Sequence, residues 1–324
     1  MKYKKNLYLG VMSGTSLDGI DIILIEKSLK LLKVVGSTYA PYSKSFKEKI
    51  LKLSFSSLNE LEESQNLAIE HAKLTAKYIH QLLKQLEISS SNIVAIGYHG
   101  QTIRHRPEKG FSVQIGNAHF LVENTNINVV TDFRNRDIAA GGEGAPLVPA
   151  FHEFYFASKN KKRVILNIGG ISNITFLNHN KKTIGFDCGP GNILLDHWIL
   201  KNKNLNYDCD GSWAKSGVVI PILLERFLQE DYFRKVPPKS CGREQFNLDW
   251  IYQHHIDSLN PKDVQRTLLE LTALSVTNAI TMFCSNADEI YICGGGSENN
   301  FLIERLSQMN NITIKKTDEL NLPA

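Results

Sequence analysis

The chain has 324 residues, 42% of them hydrophobic and 22% charged, which describes an ordinary globular sequence long enough for two domains rather than one core. A formal net charge of +4, with basic residues densest only at Lys2–Lys5 and Lys159–Arg163, gives no reason to expect a nucleic-acid partner. Five cysteines (Cys188, Cys209, Cys241, Cys284, Cys293), odd in number and without C-x-x-C spacing, argue against a disulfide or zinc framework and for a reducing compartment, the cytoplasm. Ser13 and Gly14 cut the first apolar run too short for a signal peptide, and no stretch approaches the ~20 apolar residues that cross a bilayer.

In chain order, strands are predicted at Leu7–Met12, Asp21–Glu26 and Lys33–Tyr39. A long amphipathic helix follows from about Ser57 to Leu86, with Leu61, Ala68, Ala72, Ala76, Ile79 and Leu83 at three- and four-residue spacings. Asn92–Tyr98 reads as a buried strand ending in a polar turn, HGQT. The order then returns. Arg163–Ile168 and Ile171–Leu177 make a hairpin around Gly169–Gly170, Thr183–Asp187 is a third strand, and Gly191–Leu200 opens a helix. A further helix is expected from about Val264 to Phe283, and Glu289–Cys293 is a strand running into Gly294–Gly296. Two β-β-β-α units imply two related domains facing one cleft, with Thr131–Pro149 as the crossing and 202–217 as a surface loop.

Several segments suit chemistry. In SGTSLDG between the first two strands, Gly14 and Gly19 allow positive φ and close approach, Thr15 and Ser16 offer hydroxyls and amides to phosphate, and Asp18 or Asp21 can hold hydrated Mg²⁺. The alternative is a hairpin whose glycines serve only the turn. NIGGISNIT offers the Gly169 and Gly170 amides with Ser172 and Asn173, either as a second phosphate hairpin or as a turn. In FDCGPGN, Asp187 ends an apolar strand beside Gly189–Pro190–Gly191, placed as a general base or as a cap for the next turn or helix. Gly294–Gly295–Gly296 suits a base or ribose lying against backbone, or a flexible turn. His99, Gln101, Arg104, His105, Arg106, Asp132, Arg134, Arg136 and Asp137 form a dense polar set for an anionic or polyhydroxylated ligand, or a surface ion-pair network. His254–His255 falls in a predicted helix without other ligand types nearby and reads as structural or exposed.

Taken together, GVMSGTSLDGID (Gly10–Asp21), GYHGQTIRHRP (Gly97–Pro107), TDFRNRDIAAGGEGAPLVP (Thr131–Pro149), NIGGISNIT (Asn167–Thr175), FDCGPGN (Phe186–Asn192) and ICGGGSENNFL (Ile292–Leu302) resemble the anhydro-N-acetylmuramic acid kinase family, within the acetate and sugar kinase/Hsp70/actin superfamily. The resemblance implies an α/β chain of two RNase H-like, actin-like ATPase domains flanking a nucleotide cleft. Residues 1–131 would carry the first phosphate hairpin and the sugar-side residues. Residues 132–324 would carry the second hairpin, the catalytic Asp and the nucleoside-binding glycines. It implies a phosphotransferase that uses ATP and Mg²⁺ to phosphorylate O6 of 1,6-anhydro-N-acetylmuramic acid while water opens the anhydro bridge, giving N-acetylmuramic acid 6-phosphate for peptidoglycan recycling.

Carried over residue by residue, the resemblance puts the catalytic carboxylate on Asp187 and ATP on Gly14, Thr15, Ser16, Leu17, Asp18, Gly19, Ile20 and Asp21. It extends the ATP contacts to Gly169, Gly170, Asn173, Gly189, Gly191, Asn192, Gly294, Gly295 and Gly296, and the sugar contacts to Gln101, Thr102, Arg134 and Arg136. Partners are then ATP and a small sugar, neither nucleic acid nor membrane, with a homodimer left open. Met12 stands where many superfamily members carry Asp on the first strand, so the metal contact passes to Asp18. The family also continues past the position of Ala324 into an acidic segment and a helix on the nucleotide side. A catalytically impaired ATP-binding protein of the same fold is therefore the alternative expectation.

Overall fold

The computed structural model describes residues 6–14, 17–28, 32–242, 245–320 and 322, and the chain divides into two compact units, Met1–Gly144 and Ala145–Ala324. In the first, β1 (Leu7–Ser13), β2 (Gly19–Lys27) and β3 (Leu32–Pro41) form an antiparallel meander with Met12 opposite Asp21 and Asp21 opposite Tyr39. Ser43 caps α1 (Lys44–Leu53) by accepting from the Phe46 amide, and α2 (Glu60–Gln85) follows. β4 (Ile93–Arg106) then returns parallel to β1, followed by β5 (Phe111–Ile115), α3 (Ala118–Thr125), β6 (Val129–Thr131) and α4 (Phe133–Ala139). Alternate residues of β1 and β2 (Leu7, Leu9, Val11, Ile20, Ile22, Leu24) face the core, against the α2 stripe that includes Leu67, Ala68, Ala76, Ile79 and Leu83.

The expected HGQT turn is strand. β4 carries on through these residues because β5 pairs antiparallel with Gln101–Arg106, while the positive φ of Gly100 (72°) absorbs the change of direction. The first unit also extends beyond Thr131 to Gly144. Asn135 Oδ1 accepts from the Ser112 amide at 2.8 Å and Arg134 Nη1 donates to the Gly144 carbonyl at 2.6 Å, which ties α4 and the loop after it to β5.

The second unit opens with α5 (Pro149–Phe156) and the meander β7 (Arg163–Ile168), β8 (Ile171–Leu177), β9 (Ile184–Pro190). Helices α6 (Ile193–Lys203), α7 (Ser212–Lys215), α8 (Pro221–Leu228), α9 (Asp231–Arg234), α10 (Leu248–Tyr252) and α11 (Pro261–Phe283) precede β10 (Glu289–Cys293), which lies parallel to β7. α12 (Asn300–Met309) and β11 (Ile314–Lys316) complete a sheet of order β11-β10-β7-β8-β9. The first sheet runs β3-β2-β1-β4, with β5 and β6 both on β4. Each unit is thus a three-strand meander followed by a helical crossover to a strand parallel to its first, which is the RNase H-like order.

One face of the second sheet (Val164, Leu166, Ile168, Ile174, Phe176, Phe186, Ile290, Ile292) packs on α6, α11 and α12. Its other face buries Ile165, Leu177 and Tyr291 under Phe156 of α5. The segment 202–217 is more than a surface loop, since the buried Asp208 carboxylate accepts from the Trp213 and Ala214 amides at 2.9 Å each and fixes the start of α7. His254 follows α10 rather than lying in a helix, and its ring packs on Phe227 and Trp250.

Candidate functional site

In the second unit the strand register sets Cys293, Asn167, Asn173 and Asp187 in one row across β10, β7, β8 and β9. Side chains alternate along a strand, so with Phe186 and Cys188 in the main core this row occupies the opposite face. Asp187 is only 4% exposed. Its Oδ2 accepts from the Cys241 amide at 3.1 Å, its own amide donates to the Lys239 carbonyl at 3.0 Å, and the Tyr232 hydroxyl donates to its carbonyl at 2.8 Å. The carboxylate is therefore held by the 239–241 segment running along the edge of β9. Beside it in register, Asn173 carries a buried Oδ1 with no donor among the described residues. An unmet buried acceptor is costly, and a ligand hydroxyl or amide supplied at this point would satisfy it.

The three glycine turns meet at the same end of this sheet. The Gly191 amide donates to Gly170 O and the Asn192 amide to Gly169 O, each at 2.8 Å. A Cβ on Gly191 would sit 2.4 Å from Gly169 O, and one on Gly296 would sit 2.3 Å from Ile168 Cγ2. These glycines allow the turns to nest. Gly294 has φ 83° and a Cβ there would lie 2.5 Å from Asn167 Oδ1 and 2.8 Å from Ile168 O, whereas a Cβ on Gly169 or Gly295 would meet nothing nearer than 3.6 or 4.0 Å. Gly189 makes room for Phe233, with 2.8 Å from its Cβ position to that ring. A Cβ would thus find open space at Gly169 and Gly295, while one at Gly189, Gly191, Gly294 or Gly296 would strike a neighbour.

In the first unit a hydrogen-bonded chain runs through the end of β1. Ser13 Oγ donates to Gly100 O at 2.8 Å, so His71 Nε2 must donate to Ser13 Oγ (3.2 Å), leaving His71 Nδ1 to accept from Tyr98 OH at 2.6 Å. Arg134 Nε donates to His99 Nε2 at 3.0 Å, so His99 Nδ1 carries the proton given to Gly100 O at 2.6 Å. Gln101 is 0% exposed, with Oε1 accepting from Tyr42 OH (3.2 Å) and Nε2 donating to the Gly14 and Thr102 carbonyls (3.1 and 3.2 Å). Gln101 accordingly anchors the Gly14 end of the first loop. Thr102 Oγ1 accepts from Gln114 Nε2, and Arg136 is exposed. Arg104 pairs with Glu60 at 2.5 Å.

Thr15 and Ser16 lie outside the described residues. Leu17 takes positive φ (58°) and is buried in the core, where Ile20 also lies. Gly19 does not take positive φ. A Cβ there would meet Ala40 O at 2.4 Å, so its small size serves the closeness of β3. Asp18 is exposed, with Oδ1 3.5 Å from Lys47 Nζ. The Asp21 carboxyl is raised by partial burial and by the negative charge of Asp18. Two carboxylates that repel each other suit a divalent cation shared with phosphates. Among the described residues no three His, Cys, Asp or Glu converge as a protein-only metal site.

Burial holds four histidines neutral: His71 is lowered to about 3, and His99, His105 and His152 to about 4, with Arg134 adding to the effect at His99 and His105. Their unfolded values lie near 6.5, so as pH falls from about 6.5 the unfolded chain takes up protons that the native chain refuses. Native stability is then lost progressively down to about pH 4. Thermal melts between pH 7 and pH 5 should show a steadily falling Tm, and a flat Tm over that range would contradict this picture.

Two α/β units of one strand order, with glycine turns at the strand ends, define the actin-like ATPase fold class. The family model for anhydro-N-acetylmuramic acid kinase matches residues 6–324. The anhydro-N-acetylmuramic acid kinase of Pseudomonas fluorescens (strain Pf0-1) is 48% identical over 305 residues, spanning 94% of this chain and 84% of that protein. The one from Nitrosomonas europaea is 46% identical over 320 residues, spanning 98% and 88%. The chain belongs to the anhydro-N-acetylmuramic acid kinase family, which makes it an ATP-using sugar kinase, and the alternative of an impaired nucleotide binder is not favoured. Among solved structures, (R)-2-hydroxyglutaryl-CoA dehydratase component A of Acidaminococcus fermentans has a TM-score of 0.48 at 10% identity, covering 96% of this chain and 91% of that one.

Lys239, Tyr232, Cys241 and His71 are not expected from the sequence as site residues. His71 alone carries a signal, since it falls on the Ala68–Ala72–Ala76 stripe where a polar residue needs buried partners.

Proposed function

We propose that this kinase converts 1,6-anhydro-N-acetylmuramic acid, water and ATP to N-acetylmuramic acid 6-phosphate and ADP, in cytoplasmic recycling of cell-wall sugar. Asp187 takes a proton from water as that water attacks the anomeric carbon. The bridge oxygen, released from that carbon, attacks the γ-phosphorus, so opening the ring generates the nucleophile for phosphoryl transfer. The observation that carries this reading is the buried, clamped Asp187 carboxylate beside the unmet Asn173 oxygen and the open Gly169 and Gly295 backbone.

In this reading the 14–21 loop and the glycine turns bind the ATP phosphates and nucleoside. Asp18, with Asp21 nearby, would hold Mg²⁺, which when bound neutralises phosphate charge. Thr102, Arg134 and Arg136 bind the sugar. Arg134 donates to His99 and to the Gly144 carbonyl, which hold its guanidinium in place, and it would bind a lactyl carboxylate or a phosphate. Gln101 acts through Gly14 by fixing the loop. The test is incubation with Mg-ATP and the anhydro sugar, reading ADP and the 6-phosphate. Efficient turnover of another amino sugar with none of the anhydro sugar would overturn the assignment.

A further inference from the structure

Three consecutive residues of β4 each hold a different neighbour. Gly100 sits where the register between β1 and β4 breaks, since Val11 faces Tyr98 but Ser13 faces Gln101. Its φ is 72°, and a Cβ there would lie 2.6 Å from the Ile115 carbonyl oxygen. The Gly100 carbonyl accepts twice, from Ser13 Oγ at 2.8 Å and from His99 Nδ1 at 2.6 Å. On one side of this bulge Gln101 Nε2 donates to the Gly14 carbonyl at 3.1 Å. On the other, His99 Nε2 accepts from Arg134 Nε of α4 at 3.0 Å. One bulge thus fixes both the start of the first loop and the guanidinium of Arg134.

We infer that His99 is a positioning residue for Arg134: its ring, fixed on the Gly100 carbonyl, presents the Nε2 lone pair that sets the guanidinium in place relative to the first loop. This deepens the proposed function and rests on its reading of Arg134 as the contact for an anionic group of the substrates. A guanidinium offers donors only, so the imidazole nitrogen facing it must be bare, and the proton must lie on Nδ1, where Gly100 O receives it. The ring is 8% exposed, which leaves little water to replace either bond. Arg134 Nη1 also donates to Gly144 O at 2.6 Å, and the Gly144 amide is itself tied to Asp137 Oδ2 at 2.8 Å. The imidazole and the carbonyl are neutral acceptors in fixed directions. These two bonds therefore orient the guanidinium without cancelling its charge, as a carboxylate in either place would. Burial first, and then the charge of Arg134, keep His99 in the neutral form that the geometry requires.

The test compares His99→Asn and His99→Gln with the parent enzyme. An Asn amide can donate to Gly100 O from about the place of Nδ1 but falls short of Arg134. A Gln amide reaches the place of Nε2 with its oxygen and can accept from Arg134. Expected for His99→Asn is a KM for the anhydro sugar raised about tenfold, with kcat and the KM for ATP within about twofold of the parent. His99→Gln should return most of the sugar affinity. An unchanged sugar KM in His99→Asn, or one raised equally in both variants, overturns the inference. A second measurement needs no variant: the imidazole ¹⁵N spectrum of the parent, assigned by correlation to the His99 backbone, should show a protonated Nδ1 and a bare Nε2 at neutral pH. The opposite tautomer, or an imidazolium, overturns the inference as well. The two readings fail separately, because a parent sugar KM in Arg134→Gln would remove the anion contact while the ¹⁵N spectrum still decides how His99 holds Arg134.

Discussion

Asp187→Asn is expected to lower turnover by roughly 10² to 10⁴ while leaving ATP binding close to that of the parent, the usual worth of a general base. The amide is nearly the same shape as the carboxylate. Its oxygen can still accept from the Cys241 amide at the position of Oδ2, and the Tyr232 and Lys239 bonds go to backbone that the substitution does not alter. The Cys241, Tyr232 and Lys239 bonds around β9 should therefore survive while proton acceptance is lost. Steady-state kcat with calorimetric ATP binding checks this. A variant that keeps more than half of the parent turnover would remove Asp187 from the chemistry.

Gly294→Ala should be strongly damaging. At φ 83° an alanine is strained, and its Cβ would lie 2.5 Å from Asn167 Oδ1 and 2.8 Å from the Ile168 carbonyl oxygen, which is backbone and cannot step aside. Strain and overlap together cost about 2–4 kcal/mol, which lowers Tm by roughly 5–15 °C for a unit of this size. The shifted turn should also weaken ATP binding. Gly295→Ala is the control, because its Cβ meets only Asn192 Nδ2 at 4.0 Å. It should melt with the parent, so any loss of ATP affinity there reports a ligand lying against Gly295. Equal melting of the two variants would show that nesting of the turns is not what Gly294 provides.

How much the sequence reveals depends on how local each signal is. The paired meanders are legible because apolar runs such as Leu7–Met12 and Arg163–Ile168 alternate or stay buried and break at glycines. Asp187 is legible because it interrupts such a run beside GPGN. The second half of β4 is not, since its polar residues, His99 to Arg106, find their partners in β5 and in residues distant in sequence. Ser13 meets His71 and Gly100, and Gln101 meets Tyr42 and Gly14, across separations that no local pattern encodes. Lys239 lies in PPKSCG, a stretch without periodicity, and only the return of that segment along β9 brings it to Asp187. In the sequence the glycines read as a ligand surface; that Gly19 and Gly191 also let neighbouring backbone approach depends on the assembled structure and has no local signal.

The coupling of ring opening to phosphoryl transfer is tested most directly by the fate of the water oxygen. The enzyme is run in ¹⁸O-water with Mg-ATP and 1,6-anhydro-N-acetylmuramic acid, the product is reduced at once to stop exchange at the anomeric centre, and the fragments are weighed by mass spectrometry. The label should stand on the former anomeric carbon, with none in the phosphoryl group, because water attacks carbon and the bridge oxygen attacks phosphorus. Label in phosphate and absent from the sugar would mean that water attacks phosphorus, and would contradict the role of Asp187 as the base for ring opening.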